Sequence, residues 1–441
     1  MTNLIDAVIS GAPARELSRC PLPDAYLAAY LRKADVGIFQ DTADPDVRRS
    51  IHVGEVAMPE LAPDEALIAV MAAGINYNTV WSATFEPVPT FAFLNRYGRK
   101  GTWAARHDRP EHVIGSDAAG VIVRVGAGVQ RWSAGDRVVI APAYIDHEDP
   151  AAHADSMTTT EPLAWGFETN FGALADFAVV KASQLLPKPA HLTWEEAACI
   201  SLCAGTAYRM LVSRRGAMMK QGDVVLIWGA TGGLGGFAVQ LVRNGGGIPV
   251  GVVSSPAKAA LARELGCAGV VNREDLADGD GDTALTHVKG WRRLGEEIRR
   301  QVGEDPHIVF EHSGRETFGA SVYVARRGGT VVTCGSSSGY QHVYDNRHLW
   351  MKLKRIIGSH GANYQESWET NRLVTLGMLD PTLSRVYPLA DVGEATRAVQ
   401  LNKHIGKTSV LCLAPGEGLG VEDPAARERI GERRLRLFRE P

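Results

Sequence analysis

The sequence predicts an α/β protein of two lobes, a β-rich, barrel-like lobe followed by a doubly wound parallel sheet. Three observations carry that prediction. Residues 223–236, DVVLIWGATGGLGG, read as a buried strand, a glycine turn and the start of a helix. From about Ala197 onward, short apolar strands alternate with helical patterns, the order that builds a parallel sheet with crossover helices. Between Ile51 and Ile140, by contrast, β-branched residues alternate around glycine-marked reversals, which reads as antiparallel strands.

Taken in order, residues 1–45 read as a helical extension, with LPDAYLAAYLRKAD as a short amphipathic helix after Pro23. Strands follow at IHVGEVAMPEL, EALIAVMAAGINYN and within VIGSDAAGVIVRVGAGVQRWSAGDRVVI (113–140). Residues 144–170 have no clean period and are rich in Asp, His and Thr; so long an irregular stretch in a compact domain reads as a functional loop. The parallel sheet is expected to use strands at 223–228, 248–253, 269–271, 307–312, 328–334 and 355–359. Residues 274–296 read as an insertion too polar for core. After Ile357 a helix beginning in GSHGANYQESWETNRLV leads back to the first lobe, and AARERIGERRLRLFREP (425–441) reads as a charged helix on a solvated face or subunit contact. The expected division is therefore 1–196, 197–357 and 358–441.

Composition excludes several function classes. With 47 basic and 50 acidic residues, nothing suggests a nucleic-acid partner. No run of about twenty apolar residues would span a membrane, and MTNLIDAVIS lacks the basic start and apolar core of a signal peptide. The six cysteines are scattered through apolar segments, the usage of a reducing compartment. A cytoplasmic enzyme is expected.

The glycine turn points to the cofactor. Gly229, Gly232, Gly233 and Gly235 let backbone N–H groups approach a diphosphate, with the helix N-terminus adding partial positive charge. A site for NAD places a carboxylate at the end of the second strand to hold the ribose 2′-OH. This chain has Ser254, Ser255 and Lys258 there, with Arg273 after the third strand. Hydroxyls and cations suit a 2′-phosphate, so NADPH is expected. Ser255 as a helix cap and Lys258 as a solvated lysine is the plainer reading, and the two are compatible.

A strand-rich lobe, a dinucleotide domain and a return to the first lobe resemble the plan of the medium-chain dehydrogenase/reductases. Zinc members carry Gly-His-Glu where this chain has Gly115, Ser116 and Asp117, and no CxxC ligand set occurs, so no metal is expected. Six blocks are similar to the crotonyl-CoA carboxylase/reductase family: GINYNTVW (74–81), PTFAFLNRYG (89–98), WGFETNFGALADFAVVK (165–181), GTAYRMLVSRRGAMMKQGD (205–223), FEHSGRETFGASVYVARRGGTVVTC (310–334) and YDNRHLWMKLKRIIGSHGANY (344–364). The resemblance implies a GroES-like catalytic domain with an N-terminal extension over 1–196, an NADPH-binding Rossmann domain over 197–357, and a return to the catalytic domain over 358–441.

It also implies a reaction. NADPH delivers hydride to the β-carbon of an enoyl-CoA, and the enolate attacks CO2 at the α-carbon to give an alkylmalonyl-CoA, a polyketide extender unit. Such a site must exclude water and hold CO2 close, with a few donors against an apolar wall. By motif, the family's CO2 pocket falls on Asn78, Phe167, Glu168 and His360. Asn78 would donate to CO2, and Phe167 would form the wall with its backbone N–H as a second donor. Glu168 and His360 would hold an ordered water or each other. Singly, each has a bland reading: a turn Asn, a core Phe, a structural His. Tyr77 and His342 are expected near the nicotinamide.

Three departures stand out. Ala204-Gly205 replaces Asn-Ser, and His153-Ala154-Asp155 replaces His-Asn-Asp, each losing a polar contact. Gly361 stands where His360 is normally followed by Phe, which opens room for an acyl chain longer than C4. Arg347 and Lys352 are candidate contacts for the CoA phosphates, in a cluster that includes His348 and Lys354. The expected assembly is a homodimer or homotetramer. Two alternatives stay open, an enoyl-CoA reductase without efficient carboxylation and a non-enzymatic NADPH-binding protein of the quinone-reductase type.

Overall fold

A computed structural model of the chain describes residues 3–276 and 284–439. Its contacts divide it into two units. The first runs to Leu202 and takes up Asn363–Asn371 and Leu383–Glu432; the second is Cys203–Ala362 with Arg372–Thr382 and the chain from Arg433 on.

The first unit opens with two short helices, Leu4–Ile9 and Ala14–Leu17, and then departs from expectation. Ala25–Arg32 is a strand, β1, not a helix. AYLAAYLR is apolar at nearly every position, so a helical stripe and a buried strand fit it equally well. Pairing decides: β1 lies antiparallel to β2 (His52–Ala57), with Ala25 opposite Ala57 and Tyr30 opposite His52. The fully buried β3 (Glu65–Ile75) is the spine of the unit. β4 (Glu111–Val113) pairs with β1, and β5 (Ala118–Val125) runs antiparallel to β3. β6 (Arg137–Ile140) follows, then the short pair β7 (Ala143–Tyr144) and β8 (Leu163–Ala164), which closes most of the irregular 144–170 stretch into a loop. β9 (Phe177–Lys181) pairs with β3, and β10 (Leu185–Pro187) with β6.

The second unit is the predicted parallel sheet, with every strand within a residue or two of its expected place. β11 (Val224–Trp228), β12 (Ile248–Val253), β13 (Gly269–Asn272), β14 (Ile308–Glu311), β15 (Thr330–Thr333) and β16 (Arg355–Gly358) stand in the order 13-12-11-14-15-16. That order reverses direction at β11/β14, where doubly wound sheets open a crevice for a dinucleotide. The stretch 274–296 needs correction. Residues 277–283 lie outside the described residues, but Val288–Val302 is a helix whose Trp291, Leu294 and Ile298 are buried in the sheet's core cluster. Its charge had masked a clean i, i+3, i+7 stripe.

The chain then returns to the first unit with β17 (Leu383–Pro388) and β18 (Lys407–Leu411), β18 pairing antiparallel with β3. The final segment is two short helices, Pro424–Ile430 and Glu432–Leu435, not one solvated helix. Arg427 ion-pairs with buried Glu196 at 2.7 Å in the first unit. In the second unit Arg434 pairs with Asp380 at 2.9 Å and Phe438 is buried. Among the described residues no helix is long and apolar enough to cross a membrane.

Candidate active site

In the second unit the glycine turn follows β11 directly. Gly229 is left-handed (φ 56°), and a Cβ there would come within 3.4 Å of the His312 ring. His312, at the end of β14, has Nε2 2.9 Å from the Trp228 carbonyl, and burial pushes its pKa down. Gly232 caps the helix Gly233–Asn244 without a side-chain hydrogen bond, so no side chain competes for the first-turn N–H groups. At Gly235 a Cβ would collide with the Gly229 carbonyl, and this is what lets the helix start so close to the strand.

At the end of β12 the cap expected at Ser255 is realised. Ser255 caps the helix Pro256–Leu265 by accepting from the Lys258 N–H. The Lys258 ammonium donates to Ser254 Oγ at 3.2 Å. Burial and the nearby Arg273 charge both lower its pKa, and among the described residues neither cation has a carboxylate partner. Two cations and two hydroxyls without a carboxylate form a place for a dianion, and so fit a 2′-phosphate.

In the first unit, Asn78 lies in the first turn of the helix Tyr77–Thr84, just past β3. Its Nδ2 donates to Ser116 Oγ at 2.8 Å, and its Oδ1 is buried without a partner. Ser116 belongs to the tight segment 115–117 that enters β5. Gly115 is left-handed (φ 111°), its N–H donates to Gly166 O at 3.3 Å, and Gly74 N–H donates to Asp117 O at 2.9 Å. Asp117 is fully buried, 3.5 Å from the Lys407 ammonium; desolvation outweighs that charge and raises its carboxyl to about 6. Where zinc members keep metal ligands, this chain has a rigid bracket.

The bracket ties to the loop carrying Phe167 and Glu168. Phe167 is half-buried with its ring 6.1 Å from that of Phe93. Its backbone N–H donates to Ala164 O at 3.2 Å, so the expected second donor is already engaged in a turn. Glu168 accepts from the Ala164 N–H at 2.7 Å, and burial raises its pKa. Two buried histidines fix the following residues. His107 Nδ1 accepts from Asn170 N–H at 3.0 Å, and His112 Nε2 lies 3.2 Å from Thr169 O. Burial lowers His107 to about 3 and His112 to about 4, so both are neutral struts.

Asn78, Phe167 and Glu168 therefore belong to the first unit, on two connected loops. His360 and Gly361 belong to the second, just after β16. His360 is exposed; partial desolvation and the Arg209 charge lower its pKa, so it is neutral near pH 7. Gly361 is left-handed (φ 52°), a conformation that resists a side chain. The basic cluster is less available than its sequence suggests. Arg347 is paired with Asp345 at 2.6 Å, and Lys354 is buried against the Val322 and Tyr323 carbonyls with its pKa lowered to about 8. Lys352 stays exposed, 5.9 Å above the Tyr323 ring. Tyr77 packs edge-on to Trp81, and His342 lies on the Phe318 ring. No disulfide joins any of the six cysteines, and Cys199 and Cys203 are buried. Among the described residues, no group of three or more His, Cys, Asp or Glu side chains could hold a metal ion.

Sequence reasoning passed over Ser116, His107 and His112. Ser116 was read only as a lost metal ligand, although GSD directly before a strand and opposite GINYN was a signal that the two loops meet. The histidines carried no local signal, since their partners lie about sixty residues away.

Comparison with known proteins agrees with this architecture. The family described as "Alcohol dehydrogenase GroES-like domain" matches residues 62–190, and that described as "Zinc-binding dehydrogenase" matches residues 233–375. Crotonyl-CoA reductase of Streptomyces collinus is 53% identical over 432 residues, 96% of each chain. Crotonyl-CoA carboxylase/reductase of Cereibacter sphaeroides is 38% identical over 386 residues, covering 85% of this chain and 86% of its own. Among solved structures, the 2-octenoyl-CoA carboxylase reductase CinF in complex with NADP and 2-octenoyl-CoA is 60% identical, covers 99% of both chains and superimposes with a TM-score of 0.96.

Proposed function

The chain belongs to the crotonyl-CoA carboxylase/reductase family of the medium-chain dehydrogenase/reductases, and from that premise we propose that it reductively carboxylates an enoyl-CoA longer than C4. It is an oxidoreductase, and its cofactor is NADPH, which supplies the hydride. Lys258, Arg273, Ser254 and Ser255 hold the 2′-phosphate, and the Gly229–Gly235 turn leaves room for the diphosphate.

Hydride added at the β-carbon moves the C=C electrons to the α-carbon as a thioester enolate. That carbon bonds to the carbon of CO2, whose displaced electron pair becomes the new carboxylate; no proton is consumed. Residues that hold CO2 and keep water away decide the product. In this reading Asn78 donates to CO2, Phe167 is the apolar wall, and Glu168 and His360 order the polar edge. The observation that carries it is the Asn78 carboxamide, whose Nδ2 makes one hydrogen bond among the described residues, to buried Ser116, and so keeps a second N–H to offer an acceptor-only ligand such as CO2. Arg347 and Lys352 remain candidate CoA contacts, Lys352 the freer of the two.

The longer chain rests on Gly361, which gives up an aromatic ring, and on the likeness to a 2-octenoyl-CoA enzyme. Comparing kcat/KM for C4, C6 and C8 enoyl-CoAs tests it: values rise from C4 to C8, and a C4 preference contradicts it. Reduction ending in protonation is the second reading, favoured by the polar side chains lost at Ala204-Gly205. Product mass with and without bicarbonate separates the two. We propose further that the enzyme works as a cytoplasmic homodimer or homotetramer; light scattering on the purified chain tests the assembly.

A further inference from the structure

We propose that Phe93 is a positioning residue that holds the ring of Phe167 in place, and through that ring raises the share of enolate captured by carbon dioxide rather than water. This rests on the carboxylation reading above, in which Phe167 is the apolar wall. Both rings are half-buried, with centroids 6.1 Å apart and planes inclined at 39°. Among the described residues no other ring packs on Phe167.

The backbone around Phe167 is already fixed. Gly166 is left-handed (φ 68°); its carbonyl accepts from Gly115 N–H at 3.3 Å, and its own N–H donates to Thr169 Oγ1 at 3.3 Å. The N–H groups of Phe167 and Glu168 both donate to Ala164 O, at 3.2 and 2.8 Å. Trp165 before them is fully buried and donates its indole N–H to Val179 O at 3.0 Å. With the main chain held on both sides, the freedom left to Phe167 is rotation of its side chain, and packed neighbours are what limit that. Phe93 is the ring that packs there.

Phe93 is fixed in turn by the helix that carries it. Thr90–Gly98 turns Phe91 and Leu94 into the core, where both are buried. At spacings of three and four, Thr90, Phe93, Tyr97 and, just past the helix end, Lys100 line the side that meets the 144–170 loop. Thr90 Oγ1 lies 2.8 Å from Nδ1 of His112, whose Nε2 supports Thr169 O. Tyr97 donates to the Tyr144 hydroxyl at 3.2 Å, and Lys100 pairs with Glu161 at 2.7 Å. The helix therefore keeps register with the loop at both ends and in the middle. The Lys100–Glu161 pair is open to solvent and holds weakly; the contact that reaches the proposed wall is the one between rings. Without Phe93, the Phe167 ring turns among rotamers, and a wall that turns excludes water for less of the time.

The test is a double-mutant cycle read as the ratio of carboxylated to protonated product at fixed, sub-saturating bicarbonate, using wild type, Phe93→Ala, Phe167→Leu and the double variant. Phe93→Ala is expected to lower the ratio about 2- to 10-fold, the measured range for one aromatic pair, and to raise the KM for CO2 by a similar factor. The KM for NADPH, bound by the second unit, is expected to stay within twofold, which a general loosening of the fold would not allow. Phe93→Tyr, which keeps the ring, is expected to stay within twofold of the wild-type ratio. In the Phe167→Leu background, Phe93→Ala is expected to change the ratio less than twofold. A thermal melt confirms that Phe93→Ala folds; if it does not, Phe93→Leu takes its place in the cycle. An unchanged ratio in the single Phe93 variant overturns the proposal, as does an equal fall in both backgrounds or an equal rise in both KM values. Wild type that forms no carboxylated product at saturating bicarbonate fails the functional reading itself, whereas wild type that carboxylates beside a Phe93 variant with an unchanged ratio fails this proposal alone.

Discussion

Replacing Lys258 by Ala probes the cofactor site with little collateral damage. The helix cap at Ser255 uses the backbone N–H of residue 258, so Ala keeps it. The side chain's neighbours are a neutral hydroxyl, Ser254 Oγ at 3.2 Å, and the Arg273 charge that depresses its pKa. The folded protein thus holds this ammonium against repulsion, and removing it leaves the melting temperature unchanged or higher. Binding of NADPH is another matter. A charge-assisted hydrogen bond to phosphate contributes about 1.5–3 kcal/mol. Lys258 is half-exposed and screened by salt, which favours the lower end, or roughly a tenfold rise in Kd. NADH, lacking the 2′-phosphate, keeps its affinity. Fluorescence titration with both nucleotides at two ionic strengths reads this out, the NADPH deficit shrinking as salt rises. Equal weakening of NADPH and NADH, or no change in either, would refute the assignment.

Three further outcomes are expected. Gly361→Phe places a ring in a left-handed backbone position at a strain of about 1–2 kcal/mol, visible as a lower Tm, and cuts the C8 over C4 preference by up to about 3 kcal/mol, the worth of four methylenes; an unaltered C8/C4 ratio of kcat/KM disproves the pocket reading. Phe438→Ala removes a buried ring that packs on Gly236 of the first sheet helix and is expected to cost about 3–5 kcal/mol in urea unfolding, whereas a solvated tail would lose nothing. His112, lowered to about 4 by burial, takes up its proton near pH 6.5 only when unfolded, so its contribution to stability is full above pH 6.5 and is lost on acidification toward pH 4. His112→Gln should therefore flatten the fall in unfolding free energy, read from urea denaturation, over that window by up to about 1.4 kcal/mol per pH unit, and an unchanged slope would show that His112 is not buried neutral.

Much of the fold was legible because it rests on local pattern. The strand–glycine–helix at 223–236 and the apolar strands of the parallel sheet each announce themselves within ten residues. The failures came where pairing or amphipathy overrode composition. AYLAAYLR is apolar all round, and only its antiparallel register with His52–Ala57 made it a strand. Val288–Val302 carries enough Arg and Glu to look like a surface insertion, yet one face of it completes the core through Trp291, Leu294 and Ile298. In the site, residue types were readable but valences were not. The engaged N–H of Phe167, the Arg347–Asp345 pair and the buried Lys354 ammonium each reassigned a group whose type alone suggested binding. Ser116 was the reverse, an apparent loss that proved to touch Asn78.

The most direct measurement is isotopic. The enzyme, NADPH and 2-octenoyl-CoA are incubated with 13C-bicarbonate in D2O, and the product is weighed by mass spectrometry. Capture of the enolate by CO2 predicts a dominant product carrying one labelled carboxyl group, with deuterium at the α-carbon confined to a minor saturated thioester. A saturated, α-deuterated thioester as the main product at saturating bicarbonate would contradict it.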